Sequence, residues 1–469
     1  MVFRIGPIYL ARNRNQPALT FAAAPTRWAL GFMGLLSVAF VALAVCCNLI
    51  SPLSYSVSGR AHDSNADEEA QVGNVARIAS GHLPVFRAGD PDYEAHQPPL
   101  YYALTAPLAI AARSLPAESA TKILRAPSIV FGLLLIWAAY LAVRTAIPAS
   151  EALAVGAAGF VALLPMNLSL AASVTNDVLT NLIFALALWR IACIARRAGV
   201  GDLHEHWRRE AIWLGVLMGA GIWTKTSSLL LFPVTVFVLL MLANWKVASG
   251  RLLAKTGALA VCAGLIIGLP WMIRNTLLYG DPVAQHIFVT AFQNTATTKD
   301  MMSGKLTGGV ELSVATYWTL DTLWTFESFW FPRGIMGDSV VHAAGILSFL
   351  AMIGAVIAAL SGWRKLGSWQ HALLGGFAAL ILLNLAVFVR FNTTFFQAQG
   401  RYLYPALVPI AALLLGGISG LAPQRWRGVV IGICIAVLFV ADISMLLHLS
   451  QAYSNVSQGM GDGYAGRPG

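Results

Sequence analysis

The chain has 469 residues, of which 57% are hydrophobic and 11% charged, with a mean hydropathy of +0.68. A soluble domain of ordinary composition carries about a quarter charged residues, so there is too little polar surface here to wrap a water-soluble globule; collagen-like, disordered and disulfide-scaffold classes are excluded by the same figures. The net charge of +10 does not point to nucleic acid, because the basic residues punctuate hydrophobic segments instead of clustering on a soluble stretch.

The first apolar run, 28–50, is too long for a signal-peptide core and lacks a small-residue cleavage site, so it reads as a retained signal anchor. Further runs meeting the roughly 20 apolar residues of a membrane helix fall at 127–146, 151–168, 178–195, 211–228, 229–245, 255–273, 341–361, 371–390, 402–419 and 429–448. A shorter run, 98–112, contains Tyr101 and Tyr102 and lies near prolines. If it does not cross, 17 of the 31 Lys and Arg residues but only four of the 21 acids fall on the cytoplasmic side. If it does cross, the basic stretches at 190–209 and 246–255 face outward, against the positive-inside rule. The expectation is an all-α polytopic membrane protein with eleven transmembrane helices, N-terminus in and C-terminus out. It forms a single domain over 1–448, with outer loops at 51–126 and 274–340 and a disordered outer tail at 449–469. The five cysteines lie in apolar runs without metal-ligand spacing and read as small buried hydrophobes.

Seven acids of the first loop lie close together: Asp63, Asp67, Glu68, Glu69, Asp90, Asp92 and Glu94. Asp67-Glu68-Glu69 opens a helical pattern with apolar residues at Val72, Val75, Ala76 and Ala79, which predicts a surface helix lying apolar face down. The bland alternative for Asp67 and Glu68 is helix capping, since Ser64 and Asn65 stand at capping-box spacing before them. Downstream, Glu94 and His96 immediately precede Pro98-Pro99-Leu100-Tyr101-Tyr102, an extended lead-in to a short interfacial helix. A polar cluster at that boundary suits an acidic site. His62, His82 and His96 match no recognised metal-ligand spacing, so a divalent cation is admitted without assigned ligands.

In order, these patches resemble the GT-C superfold of glycosyltransferases, in the branch of lipid-carrier-dependent enzymes that includes the protein O-mannosyltransferases and the aminoarabinose transferases. The resemblance rests on Asp67-Glu68 after the first span, His96-x-Pro98-Pro99-Leu100-Tyr101, and Arg125-Ala126-Pro127-Ser128. It continues through Pro165-Met166-Asn167 with Asn176-Asp177, Trp271-Met272-Ile273-Arg274-Asn275 with Tyr279-Gly280-Asp281-Pro282, and Gly400-Arg401-Tyr402-Leu403-Tyr404-Pro405. The aminoarabinose transferases and bacterial oligosaccharyltransferases add a soluble domain after the spans and the protein O-mannosyltransferases a lumenal domain in a middle loop, and neither is expected from these 469 residues.

The resemblance implies transfer of a sugar from a polyprenyl-phosphate donor to an acceptor glycan, lipid or protein at the extracytoplasmic face of the inner membrane. Asp67 matches the family's first-loop aspartate and is the expected general base, with Glu68 as second choice. Glu94, His96, Asn176 and Asp177 are expected around the substrate. Lys225, Arg274 and Arg401 are expected at the donor phosphate, where a cation offsets the charge of the leaving group. Two other readings stay open, a lipid or solute transporter and a surface-glycan ligase or polymerase; mid-membrane charges would favour the first, and dependence on 274–340 the second.

Overall fold

Backbone N–H and C=O groups removed from water must pair within their own segment, and long apolar segments satisfy this as helices. The computed structural model describes residues 24–51, 56–57, 60–61, 67–87, 93–291, 296–332, 338–362 and 366–464. Helix α1 (Arg27–Ile50) leads into a first long connection. This holds a two-residue hairpin, β1 (Ser56–Val57) and β2 (Arg60–Ala61), then α2 (Glu68–Ala79), a 3-10 turn (Tyr93–His96), α3 (Leu100–Ala111) and α4 (Ala117–Leu124). Next come α5 (Ala126–Ala146), α6 (Glu151–Ala162), α7 (Pro165–Ala171), α8 (Asn176–Val200), α9 (Leu203–Ile222), α10 (Leu231–Asn244) and α11 (Gly250–Tyr279). A second connection contributes α12 (Gln285–Ala291), α13 (Thr298–Met302) and α14 (Val314–Trp330). The bundle closes with α15 (Asp338–Gly362), α16 (Ser368–Asn392), α17 (Leu407–Gly420) and α18 (Arg427–Tyr464). The fold is thus the expected helical membrane architecture, with one minimal hairpin added.

Among the described residues, nine helices are long and apolar enough to cross a membrane, or ten if α6 and α7 count as one span broken by a 61° bend. The bend falls where Pro165 begins α7, since proline cannot donate and biases the residue before it away from helix. Asn167 Nδ2 donates to Val161 O at 2.8 Å, pairing a carbonyl beside the break. The run expected as the fifth span lies largely on α9, which is not among these helices because its first turns carry His204, Glu205, His206, Arg208, Arg209 and Glu210. Its ends nevertheless lie at opposite ends of the bundle: Glu210 accepts from Arg197, near the C-terminus of α8, and Trp223 O, just past α9, accepts from Leu100 N. Helix α3 has 12 residues, about 18 Å at the α-helical rise, too short to span. Two boundaries move. The second span begins with α4, so the first connection ends near residue 116, and α18 runs to Tyr464 where a disordered tail from 449 was expected.

The core sits on α8, whose apolar window is 83% buried, against α5, α9, α10 and α16. Small residues let neighbouring helices approach. A Cβ on Gly417 of α17 would come within 1.9 Å of the Ala351 carbonyl on α15, and one on Gly354 within 2.0 Å of the Gly417 carbonyl.

Arg125, between α4 and α5 and fully buried, fastens the first connection to the bundle. Its Nε and Nη2 donate to Glu68 Oε1 and Oε2 at 2.7 and 2.6 Å. Its Nη1 donates to Ser51 O at 2.7 Å and to Asn48 O at 3.1 Å, past and within the end of α1. Glu68 Oε1 also accepts from Val174 N at 2.7 Å, just before α8. One guanidinium therefore joins α1, α2, α5 and the start of α8. Three residues on, Ser128 Oγ shares a hydrogen bond with Tyr101 OH at 2.7 Å, and Tyr101 OH accepts from Thr175 N at 3.1 Å. The Arg-x-x-Ser pattern is thus a docking device for α2 and α3. Removing one member of a buried ion pair strands the other charge. Arg125→Ala should cost about 3–5 kcal/mol, measured by thermal unfolding in detergent; a melting temperature equal to that of the wild type would contradict the anchor.

Candidate functional site

Asp67 precedes α2 with φ 61° and ψ 25°, a left-handed conformation that non-glycine residues seldom adopt. Its side chain makes no cap hydrogen bond, and the capping-box partners Ser64 and Asn65 of the alternative reading lie outside the described residues. Instead, Asp67 Oδ2 accepts from Arg401 Nη2 at 2.8 Å. Backbone strain of this kind costs on the order of 1–3 kcal/mol and persists where surrounding contacts over-determine it. Here it points two adjacent carboxylates apart, Asp67 toward Arg401 and Glu68 toward Arg125. Glu68, the second choice for a base, has no exposed side-chain surface and both its oxygens held by Arg125. Its place is in the anchor.

Helix α2 does not lie on a surface by its apolar stripe. Its buried residues include Glu68, Gln71, Asn74 and Val75, while Ala76 is exposed. Gln71 Oε1 accepts from Asn176 N at 2.9 Å and from Tyr102 OH at 3.3 Å, and Asn74 Nδ2 donates to Glu94 O at 2.9 Å. The helix docks by hydrogen bonds to the start of α8 and to the 3-10 turn.

At the start of α8 the N-cap is Thr175, whose hydroxyl accepts from Asp177 N at 3.2 Å, so neither Asn176 nor Asp177 caps the helix. Asn176 Nδ2 bridges Gln97 Oε1 at 3.3 Å and Thr224 O at 3.2 Å. Asp177 turns the other way: Oδ1 pairs with Lys225 Nζ, and Oδ2 lies 3.4 Å from Arg401 Nη1. Lys225 lies just past α9 on extended backbone. Tyr402 places its ring beneath both cations, 5.8 Å from Lys225 Nζ and 5.4 Å from the Arg401 guanidinium carbon. Gln399 Oε1 accepts from Arg401 Nε at 2.6 Å. Four residues expected at the site, Asp67, Asp177, Lys225 and Arg401, thus form a continuous ionic chain drawn from four distant segments. Tyr402 belongs to the Gly400–Pro405 signature, whereas for Gln399 the sequence offers no signal beyond its closeness to Arg401.

Glu94 is buried on the 3-10 turn, with His96 buried two residues on. Burial, reinforced by the nearby charge of Asp67 and only partly offset by Lys225 and Arg401, pushes the Glu94 carboxyl up to about 7. It can therefore exchange a proton near neutral pH. Asp63, Asp90, Asp92 and His62 lie outside the described residues. Arg274 does not join the chain in any contact described. Its Nη2 donates to Pro84 O, its guanidinium stacks over Trp271 at 4.5 Å, and it ties residues 82–87 to α11. Asp281 accepts from Val283, Gln285 and His286 N–H groups, so this signature residue caps the turn into α12.

The arginine is held from the second connection. Ser328 Oγ on α14 donates to Ala398 O at 3.2 Å and accepts from Gly400 N at 2.8 Å, and Tyr404 OH donates to Phe329 O at 2.7 Å. A Cβ on Gly400 would lie 2.3 Å from Phe329 backbone atoms, so only glycine fits beside Arg401. The aromatic stretch around Phe329 is a helix packed on this turn. Among the described residues no three His, Cys, Asp or Glu side chains converge as a metal set; Asp67 and Asp177 face cations instead.

No protein-family model matches the sequence, and no curated protein matches it. Solved structures do. An oligosaccharyltransferase AglB from Archaeoglobus fulgidus, in complex with an inhibitory peptide and a dolichol-phosphate, superposes with a TM-score of 0.55 at 16% identity over 91% of this chain and 56% of its own. ArnT from Cupriavidus metallidurans, bound to undecaprenyl phosphate, gives 0.50 at 16% identity over 92% and 77%. This chain has the GT-C fold. A further A. fulgidus oligosaccharyltransferase structure, a complex with Zn and sulfate, gives 0.54 at 16% identity over 89% of this chain and 53% of its own. The chain thus spans little more than half the length of the oligosaccharyltransferases. In this chain the start of α8, the end of α9 and the turn before α17 meet where the ionic chain assembles.

Because Glu94 titrates near 7 when folded and near 4.5 as a free side chain, its linkage has a definite sign. Below 4.5 both states hold the proton. Between 4.5 and 7 the unfolded chain ionises first and folding stability falls; above 7 the deficit is constant. Melting temperatures from pH 4 to 8 should show this fall in the wild type and lose it in Glu94→Gln. Parallel profiles would refute the assignment.

Proposed function

We propose that the protein is an integral-membrane glycosyltransferase that moves a sugar from a polyprenyl-phosphate donor to an acceptor on the extracytoplasmic face of the cytoplasmic membrane. The observation that carries this reading is the ionic chain Asp67–Arg401–Asp177–Lys225 at one end of the bundle. Two cations close to two carboxylates have the charge distribution such a transfer requires. Lys225 and Arg401 offset the charge that builds on the leaving phosphate, and Asp67 accepts the acceptor's proton as its oxygen attacks. An arriving phosphate competes with Asp67 for Arg401, so donor binding frees the carboxylate at the moment a base is needed. Asp177 keeps Lys225 oriented, and Glu94, neutral or charged near pH 7, hydrogen-bonds the sugar or acceptor. The structures that share the fold support the donor class: their complexes contain dolichol-phosphate and undecaprenyl phosphate.

Asp67→Asn, purified with unchanged melting temperature, should lose about a hundredfold or more of transfer from undecaprenyl-phosphate-linked sugars; full activity would remove the base. Arg401→Gln should weaken binding of sugar-free undecaprenyl phosphate, and equal binding would displace the donor site from Arg401.

We also propose eleven crossings, counting α9 and the broken pair, with the acidic site outside. In a cysteine-free background, Glu205→Cys should react with an impermeant maleimide only from the cytoplasm and Lys305→Cys only from outside. Labelling of both from one side would overturn this orientation.

A further inference from the structure

The end of the bundle opposite the ionic chain holds a cavity of about 240 Å³ between α5, α8 and α9. Five guanidiniums line it, from Arg144, Arg190, Arg196, Arg197 and Arg209. Glu210, 1% exposed, accepts from three of them: Arg190 at 3.1 Å, Arg197 at 3.2 Å and Arg209 at 3.1 Å. Asp202 takes a second side of Arg197 at 2.8 Å, and Glu151 takes Arg144 at 3.4 Å. Five positive charges against these three carboxylates leave an excess of two in a partly enclosed space. Arg190, Arg196 and Arg197 lie in the C-terminal half of α8, but the partial charge of a helix C-terminus is only about half an elementary charge and does not balance it.

Topology alone asks for basic residues in water beside the membrane. Arg196 and Arg197 are instead 8% and 5% exposed, with Arg197 held by Glu210 and Asp202. The geometry is also ordered. The Arg190 guanidinium stacks 3.7 Å over the Trp189 ring, fixing the plane of its donors. Trp189 and Leu141 add apolar wall beside the arginines. Guanidinium forks on several sides of one hollow match the oxygens of a phosphate group, which they bind bidentately.

We infer that this cavity is a second anion site, separate from the transfer site, which takes a phosphate group: either the headgroup of an anionic membrane lipid or free inorganic phosphate. Basic pockets between membrane helices recognise phosphate headgroups through this chemistry. The inference does not depend on the transfer reading, because it uses none of the same residues.

The test is lipid binding to the purified full chain, by native mass spectrometry after exchange into micelles containing phosphatidylglycerol or phosphatidylcholine, with inorganic phosphate as a separate arm. Wild type should retain phosphatidylglycerol over phosphatidylcholine, or be thermally protected by inorganic phosphate. Arg190→Gln and Arg196→Gln should each weaken the response about tenfold, the loss of one charge-assisted contact, while Arg196→Lys retains most of it. Reading the difference between wild type and variant cancels any anion bound near Arg401. Preference for phosphatidylglycerol identifies the headgroup as occupant, and protection by phosphate alone identifies the small anion. If wild type shows neither response, or if both Gln variants respond as wild type does, the site does not exist.

Discussion

A charge withdrawn from water at the rim of an apolar bundle costs several kcal/mol unless an opposite charge meets it, and much of this molecule's architecture answers that constraint at one dipeptide. Asp67 and Glu68 are chain neighbours, yet each is claimed by a different arginine, Arg401 and Arg125. Successive helical residues already diverge by about 100°, and the positive φ at Asp67 sets the turn from which they part. The Glu68 branch is sealed and joins four elements. The Asp67 branch stays about a third exposed and meets Arg401 from the far end of the sequence. Adjacent acids of one type thereby acquire opposite characters, one fixed within the fold and one accessible for chemistry.

How much could be read from the chain depends on whether a feature is set locally or by pairing. The long spans were legible because bilayer thickness imposes a length and apolarity that a run of residues carries by itself. Helix α9 was legible as a run near 211–228 but not by its start, since Glu210 and its neighbours are charged and are accommodated by the arginines of α8. Helix α2 misled for a related reason. Its apolar residues have helical spacing, but the surface it meets is a polar one made by Asn176, Tyr102 and the Glu94 backbone, so its glutamine and asparagine turn inward.

The site shows the same division. Order along the chain and a consistent side of the membrane singled out Asp67, Asp177, Lys225 and Arg401, and these converge. Nothing local distinguished Glu68 from Asp67, because the difference lies in Arg125, 57 residues further on. Arg274 looked equivalent to Arg401 by its place at the end of a span, but it holds a backbone carbonyl of the first connection. Partner identity is a tertiary property, and no spacing rule contains it.

The fastening of Gly400 to α14 has a mechanical consequence. Ser328, Phe329 and Tyr404 clamp the backbone on both sides of Arg401 to a helix that arises in the second connection. The backbone that carries Arg401 is therefore placed by the second connection as well as by α17, so the cation shared by Asp67 and Asp177 sits where two distant segments fix it. The approach is so close that position 400 has no room for a single methyl group.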